Sequence, residues 1–138
     1  PHLPAENKLQ LVHNTFTNQE DILFANNYNK NLFWCFCVNA NLYIESKVPD
    51  VNLFLQNNCN ITLGTDSYAS NWSLSIFDEI KTLHKHFPQI ELNTLLTWAT
   101  LNGANYLGIG NKFGSIEKGK APGLNLISSD FNNVKRLV

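Results

Sequence analysis

The chain has 138 residues, enough for one modest domain, and its 10 basic and 11 acidic side chains nearly cancel. No basic run exceeds Lys135-Arg136, which argues against a surface that tracks a nucleic-acid backbone. No apolar run approaches the ~20 residues of a membrane span. Cys35, Cys37 and Cys59 show no framework spacing and read as reduced thiols, the pattern of a cytoplasmic protein. The chain begins with Pro1 and contains no methionine, so a piece of a longer protein is expected.

Pro1 to Asn7 reads as a loop. Leu9-Gln10-Leu11-Val12 is a short apolar-rich strand that ends at His13. Thr17-Asn18-Gln19-Glu20 has the form of a capping box and should open a helix over Asp21 to Asn26. Leu32 to Val38 is continuously apolar, which suits a strand buried on both faces. Pro49 is placed to begin a helix with Val51, Phe54 and Leu55 on one face. Asn60 to Thr65 is the next β-branched run and leads into Gly64-Thr65-Asp66-Ser67. A helix from near Asn71 carries Ile76, Phe77, Ile80, Leu83 and Phe87 on one face and stops before Pro88. Another, capped at Asn93, carries Leu95, Leu96, Ala99, Gly103, Ala104 and Leu107, with Gly108 as its stop. Phe113 to Glu117 and Leu124 to Ile127 read as short strands of a small antiparallel sheet, separated by Gly119 and Pro122-Gly123.

Alternation of buried strands and helices implies a parallel sheet with Leu9–Val12, Phe33–Val38 and Ile61–Leu63 as neighbours and the helices outside. Three β-α units are too few for a closed eight-stranded barrel. The pattern fits either a small open α/β sheet or part of a barrel.

His13 and Asp66 both end strands of that sheet. In parallel α/β folds the C-terminal strand ends carry function, because their loops converge on one face. The plain structural role for His13 is a hydrogen-bonded loop residue. For Asp66 it is a turn or helix cap. His84-Lys85-His86 has a metal-binding spacing only on a strand. On a helix, residues two apart point about 200° away from each other, so these two cannot share an ion. Cys35 and Cys37 lie on one face of a strand without a second pair and read as buried thiols. The signatures of small zinc deaminases, phosphate loops and serine-hydrolase elbows are absent.

Five stretches, in order, resemble one family. Leu11-Val12-His13-Asn14 resembles the end of the sixth barrel strand of cytosine-deaminase-like and chlorohydrolase-like members of the metal-dependent amidohydrolase superfamily. Cys37-Val38-Asn39-Ala40-Asn41-Leu42 is similar to their seventh-strand Cys-Pro-x-Ser-Asn-Leu, with Val38 and Ala40 in place of Pro and Ser. Gly64-Thr65-Asp66-Ser67, with Ser70-Asn71 and Asp78-Glu79, resembles the eighth strand and the helix after it. Ala99-Thr100-Leu101-Asn102-Gly103-Ala104, then Leu107-Gly108, resembles their Ala-Thr-x-x-Gly-Ala…Leu-Gly helix. Gly114 to Lys120 resembles their Gly-Ser-Ile-Glu-x-Gly-Lys hairpin, although Ala121-Pro122-Gly123 then replaces the usual Ala-Asp.

The resemblance implies an α/β fold: the C-terminal portion of a TIM-type (β/α)8 barrel, equivalent to strands 6–8, over 1–111. The C-terminal strands of a small β-sandwich would follow over 112–138. It implies hydrolytic deamination or dechlorination of an amino-substituted heterocycle, with Zn2+ or Fe2+ as cofactor. Such enzymes hold the metal with a His-x-His pair on the first strand, a His on the fifth and an Asp on the eighth. Of these only Asp66 has a counterpart here. His13 matches the sixth-strand histidine beside the reacting water or the substrate, and Asn41 and Ser67 are the expected substrate contacts. The metal would acidify a bound water. Asp66 would take its proton, and His13 would stabilise charge on the attacking oxygen.

The expected partner is a small-molecule heterocycle, with neither nucleic acid nor membrane, and a homo-oligomer is expected. The chain alone is expected to be inactive and to bind no metal tightly, with Asp66 and His13 nevertheless facing one cleft. The alternative is a non-catalytic α/β interaction module, which should have a covered sheet and a polar outer helix face.

Overall fold

The apolar run at Leu32–Phe36 is the middle strand, β2, of a three-stranded parallel sheet. The computed structural model describes residues 4–138. The first strand, β1 (Leu9–Val12), lies on one side of β2 and β3 (Ile61–Leu63) on the other. The register sets Leu11 beside Trp34 and Trp34 beside Ile61. The expected parallel order of the three strands therefore holds. Of the expected opening loop, residues 1–3 lie outside the described part, and the chain from 4 to 8 turns without joining a sheet.

Successive side chains of a strand point to opposite faces. On one face Leu9, Leu32, Trp34, Phe36, Ile61 and Leu63 meet the helices. These are α1 (Gln19–Tyr28), α3 (Val51–Gln56), α4 (Ile76–His86) and α5 (Leu92–Ala99). Ile22, Val51, Phe54, Ile80, Leu83, Leu95 and Trp98 are their buried contributions. Phe54 sets its ring edge-on to Trp34 and Phe36, with centroids 5.1 and 5.0 Å away. Burying one such ring contributes about 1.5–3 kcal/mol. The other face of the sheet carries Gln10, Phe33, Cys35 and Thr62, and Gln10 Nε2 donates to Thr62 Oγ1 at 2.8 Å.

Several boundaries differ from the sequence reading. Strand β2 ends at Phe36 rather than Val38, and Val38–Glu45 forms an additional helix, α2. Cys37 is thus the residue that caps α2, one position beyond the strand that holds Cys35. The cap of α1 is Asn18, not Thr17: its side chain accepts from the amides of Glu20 and Asp21, and the Asp21 carboxylate reaches back to the Asn18 amide. Helix α3 starts after Asp50, whose side chain accepts from the Leu53 amide. Helix α4 begins at Ile76 behind the cap Ser75, five residues later than Asn71, because Asn71 spends its side chain on the preceding loop.

The expected helix from Asn93 is two helices. Helix α5 begins behind Glu91, and the backbone breaks at Thr100 (φ −128°, ψ −79°) before α6 (Leu101–Tyr106). The Thr100 hydroxyl donates to the Leu96 carbonyl at 2.7 Å, a bond that competes with continuation of the helix.

Phe113–Glu117 is not a strand. Gly114 sits at φ +90°, and a Cβ there would lie 2.8 Å from Ala104 Cβ, so the chain turns tightly against α6. Ser115, Glu117 and Lys120 then bond to one another rather than to a neighbouring strand. A small antiparallel sheet does follow, but it pairs β4 (Asn125–Ile127) with β5 (Val134–Arg136).

The outer edge of β1 has no strand beside it among the described residues, and Leu11, Val12 and Phe24 are exposed there. At β3, Asn102 Nδ2 donates to the Ile61 carbonyl at 2.7 Å. Among the described residues no helix is long and apolar enough to cross a membrane.

Candidate functional site

His13 continues the ladder of β1 by one bond, its amide donating to the Cys35 carbonyl at 3.0 Å, and the chain then turns sharply. His13 and Asn14 both occupy the left-handed region (φ 74° and 63°), and so does Asp66 beyond the end of β3 (φ 57°). Such conformations are uncommon for residues other than glycine and persist where surrounding bonds enforce them. At the first turn Asn14 Nδ2 supplies those bonds, donating to the carbonyls of Leu11 (3.0 Å) and Cys35 (3.3 Å). The two turns bring His13 Nε2 to 3.8 Å from Asp66 Oδ2. Their side chains are 40% and 33% exposed, so the pair faces solvent at the C-terminal ends of β1 and β3.

Asp66 is oriented from its own loop. Ser70 Oγ donates to Asp66 Oδ2 at 2.5 Å, and Ser67 Oγ lies 3.1 Å from Ser70 Oγ. Ser67 therefore belongs to the hydroxyl cluster behind Asp66. Asn41 is placed elsewhere: it is buried in α2, with Nδ2 donating to Thr15 Oγ1 at 2.5 Å and Oδ1 without a partner among the described residues. The structure thus brings together His13, Asp66 and Ser67, and sets Asn41 behind the loop that carries Thr15.

Two features of the rim go beyond the roles expected of their residues, Glu79 as part of a motif and Cys35 with Cys37 as buried thiols. Glu79 lies on the apolar face of α4 and is fully buried, accepting from the Asn39 amide (3.0 Å) and Asn71 Nδ2 (2.9 Å). Burial pushes its carboxyl above the usual carboxylate range against the pull of those donors. A carboxylate spaced three before Thr82 and four before Leu83, within the Ile76, Ile80, Leu83 stripe, is the signal that could have found it. The second feature is the thiol pair. A Cβ on Gly64 would lie 2.9 Å from Cys35 Sγ and 3.1 Å from Cys37 Sγ, so both sulfurs press on the strand end that leads to Asp66. The hydrogen bond that the Cys37 thiol donates to Cys35, together with burial, pushes the Cys37 thiol far up, which keeps it protonated.

His84 and His86 are exposed on the last turn of α4, as the helical spacing requires, and His84 packs near Phe131. Among the described residues no three His, Cys, Asp or Glu side chains are grouped so as to hold a metal ion. His13 and Asp66 alone offer one nitrogen and one carboxylate. Both donor types suit zinc or iron, but they are fewer than the three protein ligands usual at a catalytic centre.

Residues 2–137 match the model of the amidohydrolase family. A 5-methylthioadenosine/S-adenosylhomocysteine deaminase of Saccharophagus degradans is 35% identical over 134 residues, 92% of this chain and 29% of its own length. A 5'-deoxyadenosine deaminase of Methanococcus vannielii is 40% identical over 106 residues, 72% of this chain and 25% of its own. Among solved structures, an adenosine deaminase of Xanthomonas campestris with bound zinc superposes with a TM-score of 0.74 at 30% identity, covering 88% of this chain and 29% of that one. The aminofutalosine deaminase of Helicobacter pylori gives 0.73 at 28% identity, covering 84% and 29%. The chain spans under a third of the length of these relatives. On a match that runs through nearly every residue, the chain belongs to the amidohydrolase family.

Proposed function

We propose that this chain is the C-terminal part of a metal-dependent hydrolase that deaminates an amino-substituted heterocycle, and that a purine nucleoside is its substrate class. The observation that carries the reading is the 3.8 Å approach of His13 to Asp66 at two strand ends, in a chain matching the family from 2 to 137. Relatives named as deaminases of adenosine-type nucleosides support the substrate class. In this reading β1, β2 and β3 are the last three strands of a (β/α)8 barrel, and β4 with β5 belongs to a small β-sandwich. The open apolar edge of β1 supports a sheet that continues, where a self-standing module would cover it.

Asp66 would be one ligand of a zinc or iron ion, completed by histidines outside this chain. The ion's contribution is to make hydroxide available near neutral pH. Ser70 occupies Asp66 Oδ2, so Oδ1, with no hydrogen bond among the described residues, is the oxygen left for the ion or for a proton. The His13 imidazole, 3.8 Å from the Asp66 carboxylate, would donate to the oxygen that gains charge as water adds to the ring carbon. Ser67, exposed and bonded to Ser70, would keep a lone pair to accept from the substrate, and Asn41 would act from behind the loop of Thr15.

The full-length enzyme, purified with zinc, should release ammonia from 5'-deoxyadenosine or 5'-methylthioadenosine. Release of chloride from a chlorinated triazine but no ammonia from any purine would replace deamination by dechlorination. No hydrolysis across both sets would overturn the enzyme reading.

A further inference from the structure

Glu79 is a carboxylate with no exposed surface on the packed side of α4, and each of its oxygens goes to a different rim element. Oε2 accepts from the Asn39 amide in the first turn of α2 at 3.0 Å, and the Val38 amide also reaches the carboxylate. The cap residue of that helix, Cys37, makes no side-chain capping bond, so Glu79 satisfies the free amides of α2 from another helix. Oε1 accepts from Asn71 Nδ2 at 2.9 Å, and the same nitrogen donates to the Thr65 carbonyl at 2.6 Å. Thr65 C=O belongs to the peptide plane that leads into Asp66. Holding that plane helps to hold Asp66 at φ 57°, in the left-handed region that few residues other than glycine enter.

We propose that Glu79 is a positioning residue of the active site, holding the Asp66 backbone through Asn71 while it fastens the start of α2. The proposal rests on Asp66 acting as a site carboxylate. Its geometry is that of an outer partner that orients a ligand-bearing loop, where substitution typically costs about 10- to 100-fold in metal affinity or activity. A helix cap alone would need only Oε2. The second arm, from Oε1 to Thr65, ends next to Asp66 and is the part a capping role leaves unexplained.

The arms can be cut separately in the full-length enzyme. Asn71→Ala removes the link to Thr65 and leaves the Asn39 bond to Glu79 in place. Thr82→Val removes only the 2.7 Å bond from Thr82 Oγ1 to Asn39 Oδ1 on the α2 side. Glu79→Gln keeps the volume but turns an NH2 group either toward Asn71 Nδ2 or toward the α2 amides. Asn71→Ala should lower kcat about 10- to 100-fold with KM within about threefold, and should weaken zinc binding in a chelator competition by a similar factor. Thr82→Val should lower the melting temperature and leave kcat and zinc affinity within about twofold. Glu79→Gln should do both if it folds, and Asn71→Ala carries the test if it does not. Wild-type kcat and zinc affinity in Asn71→Ala would overturn the proposal. Asp66→Asn is run beside it: retained turnover there would sink the reading of Asp66 itself, whereas turnover lost there but kept in Asn71→Ala defeats only the role of Glu79.

Discussion

The helix-side face of the parallel sheet and the rim at its strand ends are built from opposite materials. On the face, Trp34, Phe36, Phe54 and Ile61 are almost wholly buried and hold one another by shape. On the rim, His13 and Asp66 stay open to solvent in left-handed turns, and hydrogen bonds from Asn14, Ser70 and Asn71 hold the backbone around them. A packed face loses stability when atoms are removed. A hydrogen-bonded rim loses direction instead. The two regions should therefore respond to substitution through different observables, with Gly64 and Glu79 joining them.

The largest expected effect is on the rim. Asp66→Asn in the full-length enzyme should reduce turnover by ~10³-fold or more, the scale of losing a reacting group. Its melting temperature should stay unchanged, because asparagine tolerates the left-handed turn at least as well. A large drop in melting temperature would mean that Asp66 is a structural turn residue and would erase the contrast.

The mirror experiment is Phe54→Ala, which empties the space between Trp34 and Phe36. Denaturant unfolding should show a loss of about 3–5 kcal/mol, with kcat per folded molecule retained. A proportional loss of kcat would show that the core sets the geometry of the rim directly.

Gly64→Ala probes the junction. The added methyl would lie 2.9 Å from Cys35 Sγ and 3.1 Å from Cys37 Sγ. Overpacking of this kind costs roughly 1–3 kcal/mol. Most of the loss should return in the Gly64→Ala, Cys35→Ala double variant, read as a coupling energy in a double-mutant cycle. Full additivity would show that the strand end and the thiols move independently.

The smallest expected effect is on pH dependence. The Glu79 carboxyl titrates higher in the folded state than in the unfolded chain. Between those two values the folded state holds a proton that the unfolded chain has released. Stability should therefore fall as pH rises from the ordinary glutamate value to the raised one, and level off above it. Thermal melts of Glu79→Gln should lack this decline. A wild-type slope in the variant would place the linkage on another group.

The packed half was the more legible in sequence. Leu32–Phe36 is an apolar run without alternation, and burial on both faces follows from that composition, while Leu9–Val12 and Ile61–Leu63 stand out as a short apolar-rich run and a β-branched run. His13 was legible because it immediately follows such a run, and Asp66 because it closes the Gly64-Thr65 turn just beyond one. Helix α2 was hidden for a physical reason: its capping carboxylate, Glu79, lies 40 residues downstream of Asn39, so no local pattern announces it. The apolar Cys37-Val38 junction read as more strand. Phe113–Glu117 misled in the opposite sense. It has the spacing of a hairpin strand, but the left-handed Gly114 and the bonds among Ser115, Glu117 and Lys120 close it into a loop.

The central claim is that Asp66 and His13 stand at one metal-dependent reaction centre. The direct measurement is anomalous zinc scattering from crystals of the full-length enzyme. The account predicts a zinc peak within bonding distance of an Asp66 carboxylate oxygen, about 2.0–2.2 Å, with His13 on the same cleft. A zinc ion bound elsewhere, with Asp66 making only turn contacts, would contradict it.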